Sequence, residues 1–341
     1  MVSILAAARG IVAKRTAHDW LIAAAASLII LLATTLLSAG MIYSGAVSES
    51  GLRRSLADAD PVAANVAVSA RVTAEQYAKD DAVVRSELAW NFEGLPVNIV
   101  GRGDSDSFGL PGQAADAAVV DLATLGAYEQ IEAHASLAAG AWPVESGDAV
   151  QVAVSAATAD LAGWSVGDEL QLTNRRDESF TLPIRVVGIF EPNDLTDPFW
   201  RNDPLLLNGS TQTSTYRTFG PLLVDRQTYL SRVAQDGGRA SWLAFPDFSQ
   251  LRIDQIQSIG GRVAGMQGRL DDRLGAKPRL EVASDLPEIL RAADRSLLVA
   301  RTGVLILTVQ VVWNAVEYKP ALLRNPFMSN DDKRALVGRD E

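Results

Sequence analysis

Cysteine is absent from the 341 residues. That excludes a disulfide framework, a thiolate metal site and a cysteine nucleophile. Histidine is scarce: His18 and His134 are the two present. His18 lies beside a long apolar stretch, so a histidine-based triad or metal site would have to use His134. Long Lys/Arg runs are missing, and 41 acidic residues against 31 basic ones give a formal net charge of −10. Such a chain is a poor partner for nucleic acid, whose phosphates demand cations. No G-x-x-x-x-G-K-[ST] phosphate loop occurs, so the chain does not itself bind ATP in that manner.

Other chemical motifs fail on inspection. Gly101-Arg102-Gly103-Asp104 opens like a dinucleotide loop but lacks the third glycine, and it reads as a polar turn. Its Arg-Gly-Asp tripeptide is too short to carry weight. The acid pairs Asp104/Asp106 and Asp194/Asp197 lack the fuller calcium-loop pattern and read as solvated loop acids. His134, among alanines on an expected helix, reads as a surface or packing residue, with no G-x-S-x-G elbow to serve. No catalytic, cofactor-binding or metal-ligating residue is assigned, no cofactor is expected, and the chain is read as not an enzyme.

What the sequence does contain is apolar length. Trp20 to Tyr43 holds 24 residues without a charge, enough for a helix to cross a hydrocarbon core of ~30 Å. Trp20 and Tyr43 mark its ends as interfacial anchors. Arg9, Lys14 and Arg15 precede it and Glu49 follows, which puts the N-terminus in the cytoplasm. A cleaved signal peptide ending near Ser44-Gly45-Ala46 is the competing reading. In the leader, residues 1–19, Met1, Ile4, Leu5, Ala8, Ile11 and Val12 form a helical stripe suited to the inner membrane surface, a frayed, disordered leader being the alternative. A second, marginal span is expected at 297–316, with Arg301 near its outer end and Trp313 at the inner interface. A polar cytoplasmic tail, 317–341, follows.

Residues 44–296 between the spans alternate strand and helix. Strands are expected at 65–72, 95–100, 117–122, 149–154, 221–225, 240–245 and 279–283, and a hairpin at 169–173 and 180–190 across the turn NRRDES. Helices are expected at 73–90 with a Thr73/Gln76 capping box, at 123–139, at 155–161 capped by Ser155, at 250–274, and from Asp285 onward. Residues 192–220 read as a long polar loop. The fold class is an α+β extracytoplasmic domain flanked by one clear N-terminal and one marginal C-terminal transmembrane helix.

One order of motifs is more specific. Gly140-Ala141-Trp142-Pro143 precedes a strand, a small-residue helix starts at Ser155, Val166-Gly167-Asp168-Glu169-Leu170 leads into another strand, and Val186 to Phe190 includes Gly188. This order, set between apolar segments, resembles the extracytoplasmic core of FtsX-like (MacB-type) ABC transporter permeases. The resemblance covers about residues 1–310. It implies that permease units pair, as a homodimer or with a partner permease, and dock separate cytoplasmic ABC ATPase subunits. ATP-driven motion then reaches an outer domain that handles a lipid, peptide, lipoprotein or protein partner. The chain departs from that family after Gln310, where prolines and charges replace further apolar spans, so it reads as a truncated permease, a split half or the product of a disrupted gene. The alternative is a membrane-anchored outer binding or sensor domain without transport activity. If 297–316 inserts, Arg301 costs up to about 2.5–3.5 kcal/mol, depending on its depth. Arg301→Leu should therefore strengthen insertion of that segment in a translocon reporter assay. Unchanged insertion would count against the span.

Overall fold

The computed structural model describes residues 61–323, except 115–116, 202, 236 and 276–278, together with scattered helical positions between 31 and 56. Two units are distinguished: Arg53–Arg291, and Met1–Leu52 with Ala292–Glu341. The first unit opens with β1 (Val66–Val72), whose alternation buries Val66, Val68, Ala70 and Val72 on one face and turns Ser69 and Arg71 to the other. The order continues with α1 (Ala74–Asn91), β2 (Val97–Asp104), β3 (Phe108–Gly109), β4 (Val120–Tyr128) and β5 (Ala135–Gly140). Then come β6 (Val150–Ser155), α2 (Ala156–Ala162), β7 (Glu169–Asn174) and β8 (Thr181–Pro192). The remaining elements are β9 (Ser210–Gln212), β10 (Tyr216–Leu223), β11 (Gly238–Pro246), α3 (Ile256–Ala264), α4 (Met266–Leu274), β12 (Glu281–Ala283) and α5 (Leu286–Leu323), with single helical turns between some of them.

Hydrogen bonding joins these strands into two parts that share β4. The path β4–β3–β7–β8–β6–β10 returns to β4 and closes a ring. Its interior is apolar: Phe108, Leu125, Val152, Leu172, Ile184 and Leu222 are among the buried residues that fill it. Burying each of the larger aliphatic side chains contributes about 1.5–3 kcal/mol. From β4 an antiparallel wing, β2–β11–β1–β12, extends outward. One face of the wing is covered by helix α1, whose Tyr77 stacks on Trp242 at 6.3 Å between centroids. Helix α4 is clasped to α1 by Arg269 and Arg273, which reach the buried Glu87 at 2.6 and 3.0 Å.

The wing also returns the chain to its starting point. β12 pairs with β1 through Ala67↔Ala283, and the Asp285 N–H donates to the Ala63 carbonyl at 3.2 Å. The two ends of the domain are thus adjacent.

Several sequence expectations are corrected. Residues 123–139 are not one helix: they form the second half of β4, a single turn and β5. Alanine's helix propensity is overridden because Ala123 and Ala127 face the ring interior, where small side chains fit between larger ones. Gly101–Asp104 is not a turn but the end of strand β2. Its glycines are demanded by neighbours: a Cβ on Gly103 would lie 2.5 Å from the Tyr229 ring. The Thr73 hydroxyl does not cap α1; its carbonyl accepts from Gln76 N and Tyr77 N as the first turn of the helix. The expected helix at 250–274 is two helices, beginning at Ile256 and meeting at Gly265, preceded by short single turns. The expectation at Ser155 holds: its hydroxyl accepts from Thr158 N at 3.1 Å.

In the second unit, the segment expected to span at 297–316 is helical and lies within α5, with Leu298, Val299, Ile306, Leu307, Val309 and Trp313 exposed. Among the described residues, however, no helix is long and apolar enough to cross a membrane. Helicity at 297–316 agrees with the sequence, and a span does not follow from it. The expected span at 20–43 lies largely outside the described residues, Trp20 included, while Tyr43 is exposed. The leader 1–19 and most of the tail 317–341 also lie outside them.

The tightest backbone approach is around β8. A Cβ on Gly188 would sit 2.3 Å from the Ala141 carbonyl oxygen, whereas nothing lies within 4 Å of one on Gly147. Gly188→Ala should lower unfolding stability by about 3 kcal/mol or more. Gly147→Ala should lie within about 0.5 kcal/mol of the parent in urea denaturation.

Candidate functional site

The family-motif residues converge on one strand. Gly140 pairs with Gly188 across β5 and β8, and Ala141 N donates to the Val187 carbonyl at 2.9 Å. Gly140 has φ +75°, and a Cβ there would lie 2.0 Å from the Val187 oxygen, so glycine suits both the conformation and the space. Gly167 N donates to Val186 O, and Val186 N to Asp168 O, while the Asp168 carboxylate accepts from Ser165 N at 2.8 Å. Trp142 packs half-buried against Phe190, 5.8 Å between centroids. Pro143 lines a shallow neighbouring hollow. These residues build the β5–β8 corner and present no convergent polar groups; they are structural.

The cleft with convergent polar groups lies elsewhere, where the uncovered face of the wing meets the ring. It has a volume of about 850 Å³, within the usual range for ligand pockets. Its floor is a row across five strands, set by register: Glu281 opposite Ser69, Ser69 opposite Ser241, Ser241 opposite Arg102, and Arg102 opposite Tyr128. The neighbouring row sets Arg71 opposite Arg239 and Arg239 opposite Asp104.

Arg102 is 5% exposed and carries a buried charge. Its guanidinium carbon lies 4.7 Å from the ring centroids of both Tyr128 and Phe199. One Nη donates to the Phe199 carbonyl at 2.7 Å, while Nε has no hydrogen-bond partner among the described residues. Two ring faces contribute about 0.5–2 kcal/mol each toward offsetting its desolvation. Phe199 in turn stacks on His134 at 4.1 Å, and His134 Nδ1 lies 2.6 Å from Asp197 Oδ2. His134 is thus a packing residue, as the sequence suggested.

Tyr128 sits between two acids. Its hydroxyl is 2.9 Å from Asp104 Oδ1 and 2.5 Å from Asp203 Oδ2. A phenol has one proton, so both contacts are hydrogen bonds only when one carboxyl also carries a proton. Asp203 Oδ1 accepts from Leu206 N as the cap of a helical turn, an arrangement that suits a carboxylate. Burial pushes the Asp104 carboxyl up, and the Asp203 charge adds to it, with the Tyr128 hydroxyl and the Arg102 and Arg239 charges offsetting part. Burial thus favours the protonated form of Asp104, in which its carboxyl O–H donates to the Tyr128 oxygen while the phenol donates to Asp203 Oδ2. Burial and the two acids together hold Tyr128 in its phenol form. Asp106 behaves oppositely: burial raises it, but the Arg71 hydrogen bond and charge win and hold it below the ordinary value.

Neither Asp104 nor Asp106 is a solvated loop acid, which corrects the sequence reading, and no group of three or more metal-ligating side chains occurs among the described residues. The segment 192–220, read as a polar loop, instead delivers buried Phe199, Trp200 and Leu206, together with Asp203. Arg102, Tyr128, Asp203, Arg239 and Arg279 were missed by sequence reasoning. The signal available was the apolar triplet Pro198-Phe199-Trp200 inside an otherwise polar stretch.

No family model and no curated protein sequence matches the chain. Among solved structures, the periplasmic region of MacB from Actinobacillus actinomycetemcomitans is similar over 65% of this chain and 88% of that chain, with 9% identity and a TM-score of 0.33. A likeness that loose carries no argument about site or activity.

Asp104 holds its proton to higher pH when folded than when unfolded. Its contribution to stability is complete below its ordinary value of 3.8 and is lost as pH rises through the raised folded value. Asp104→Asn keeps a donor for the Tyr128 oxygen and removes the charge. Urea unfolding from pH 3 to pH 8 should show the parent losing stability relative to this variant, by about 1.4 kcal/mol per unit of upward shift. A pH-independent difference would count against the protonated form of Asp104.

Proposed function

We propose that this chain is a permease-type membrane component of an ABC transporter of the FtsX-like or MacB type. In this reading residues 20–43 anchor it in the cell membrane with the N-terminus cytoplasmic. The α+β domain lies outside the cytoplasm and contacts a substrate or a protein partner there. A separate cytoplasmic ATPase subunit supplies hydrolysis, and a second permease copy or partner completes the unit.

The observation that carries the reading is the return of the chain, β12 beside β1 and Asp285 bonded to Ala63. A domain driven from membrane segments at both of its ends needs those ends together, so that displacement of one against the other is felt as a single motion. The β5–β8 corner supports the same reading, because the residues that carry the family resemblance each have a backbone or packing task there. The exposed apolar side chains of α5, Leu298 to Trp313, suit contact with a bilayer or with a partner permease.

A membrane-anchored binding or sensor domain is the second reading, favoured by the polar cleft. Affinity purification of the full chain from its native membranes separates the two. Transport predicts recovery of an ATP-hydrolysing subunit and a change in protease sensitivity of the outer domain on adding ATP. Recovery of the chain alone, with unchanged sensitivity, would sink the transport reading.

A further inference from the structure

The cleft is lined by four arginines, Arg71, Arg102, Arg239 and Arg279, and by four acids, Asp104, Asp106, Asp203 and Glu281. Arg71 is spent on Asp106, which also lies 3.3 Å from Arg176. Asp104 and Asp203 both face the Tyr128 hydroxyl, at 2.9 and 2.5 Å, and buried Arg102 lies over the same ring. Arg239 and Arg279 remain. Both are exposed at the cleft, and neither side chain has a hydrogen bond or ion pair among the described residues; exposed Glu281 is the remaining acid of the lining. Arg239 lies on β11, between β1 and β2, and Arg279 just precedes β12; a guanidinium offers forked donors that match an oxyanion. Between them the floor supplies the hydroxyls of Ser69 and Ser241 from adjacent strands.

We infer that this cleft binds a small polar ligand through an oxyanion, a carboxylate or a phosphate, gripped by Arg239 and Arg279 above the Ser69–Ser241 floor. Hydroxyls and charges dominate the lining, which suits a polar ligand and not an acyl chain. The inference rests on the cleft alone and holds whether or not the chain works with an ATPase.

The test is isothermal titration calorimetry on the full-length chain as purified, with inorganic phosphate and, separately, succinate. Saturable binding of at least one is expected, and which one binds tells phosphoryl from carboxylate recognition. Replacing both arginines (Arg239→Gln with Arg279→Gln) should weaken binding at least about tenfold, the loss expected for a charge-assisted contact. Arg185→Gln, on the exposed β7–β8 hairpin, should leave affinity unchanged. Should the double variant fail to give a cooperative melt, Arg239→Gln alone carries the same expectation. Absence of binding by both probes, or equal affinity of parent and arginine variants, overturns the assignment.

Discussion

The pairing of β4 constrains everything else in the domain. Its first part is hydrogen-bonded to β3 on one side and β10 on the other, which closes the ring. Its last three residues pair with Arg102–Asp104 of β2, which starts the wing. One strand therefore fixes where two sheets meet and how they face one another. Tyr128, at its end, stands at that junction. Without β4 spanning both parts, the wing's uncovered face would open to solvent as a plain polar sheet. With it, the face is walled on one side by the ring and becomes a cleft.

The wing is two-sided for a simple reason. Period-two alternation puts Val66, Val68, Ala70 and Val72 on one face and Ser69 and Arg71 on the other. Helices need an apolar surface to bury, so they cover the first face and leave the second bare. The arginines and acids on the bare face then sit in adjacent rows, where charges interact strongly because the ring excludes part of the water. The Tyr128 cluster shows the consequence: burial, with the neighbouring Asp203 charge, raises the Asp104 carboxyl toward its protonated form.

Legibility in the sequence followed the range of the interaction that fixes each element. The strand at 65–72 and the helix at 73–90 carry their own residue periodicity, and the Ser155 cap and the hairpin around NRRDES rest on contacts within a few residues, so each was readable. Gly140, Gly167 and Gly188 were readable as motif positions; the reason at Gly140 and Gly188, the crowding of β8 by β5 and the segment after it, is not local, whereas Gly167 answers to its own turn, with φ +104° and open space around it. The alanine-rich stretch 123–139 misled because the same residues satisfy a helix or the inside of a narrow ring. The Gly-Arg-Gly-Asp run misled because glycine marks both turns and places where a ring packs on a strand, here Tyr229 over Gly103.

The sequence by itself determined the excluded chemistries, the acidic charge, the uncharged apolar segment at 20–43 and the alternation that makes half-buried strands. Those depend on composition and on periods of two or 3.6, which any chain carries in its order of residues. The tertiary structure alone decided that Arg102, Tyr128, Asp203, Arg239 and Arg279 share one cleft. They lie on separate elements, up to 177 residues apart in chain order between Arg102 and Arg279. Nothing local links them; strand register and ring closure do, and these are set by burial of the apolar face as a whole.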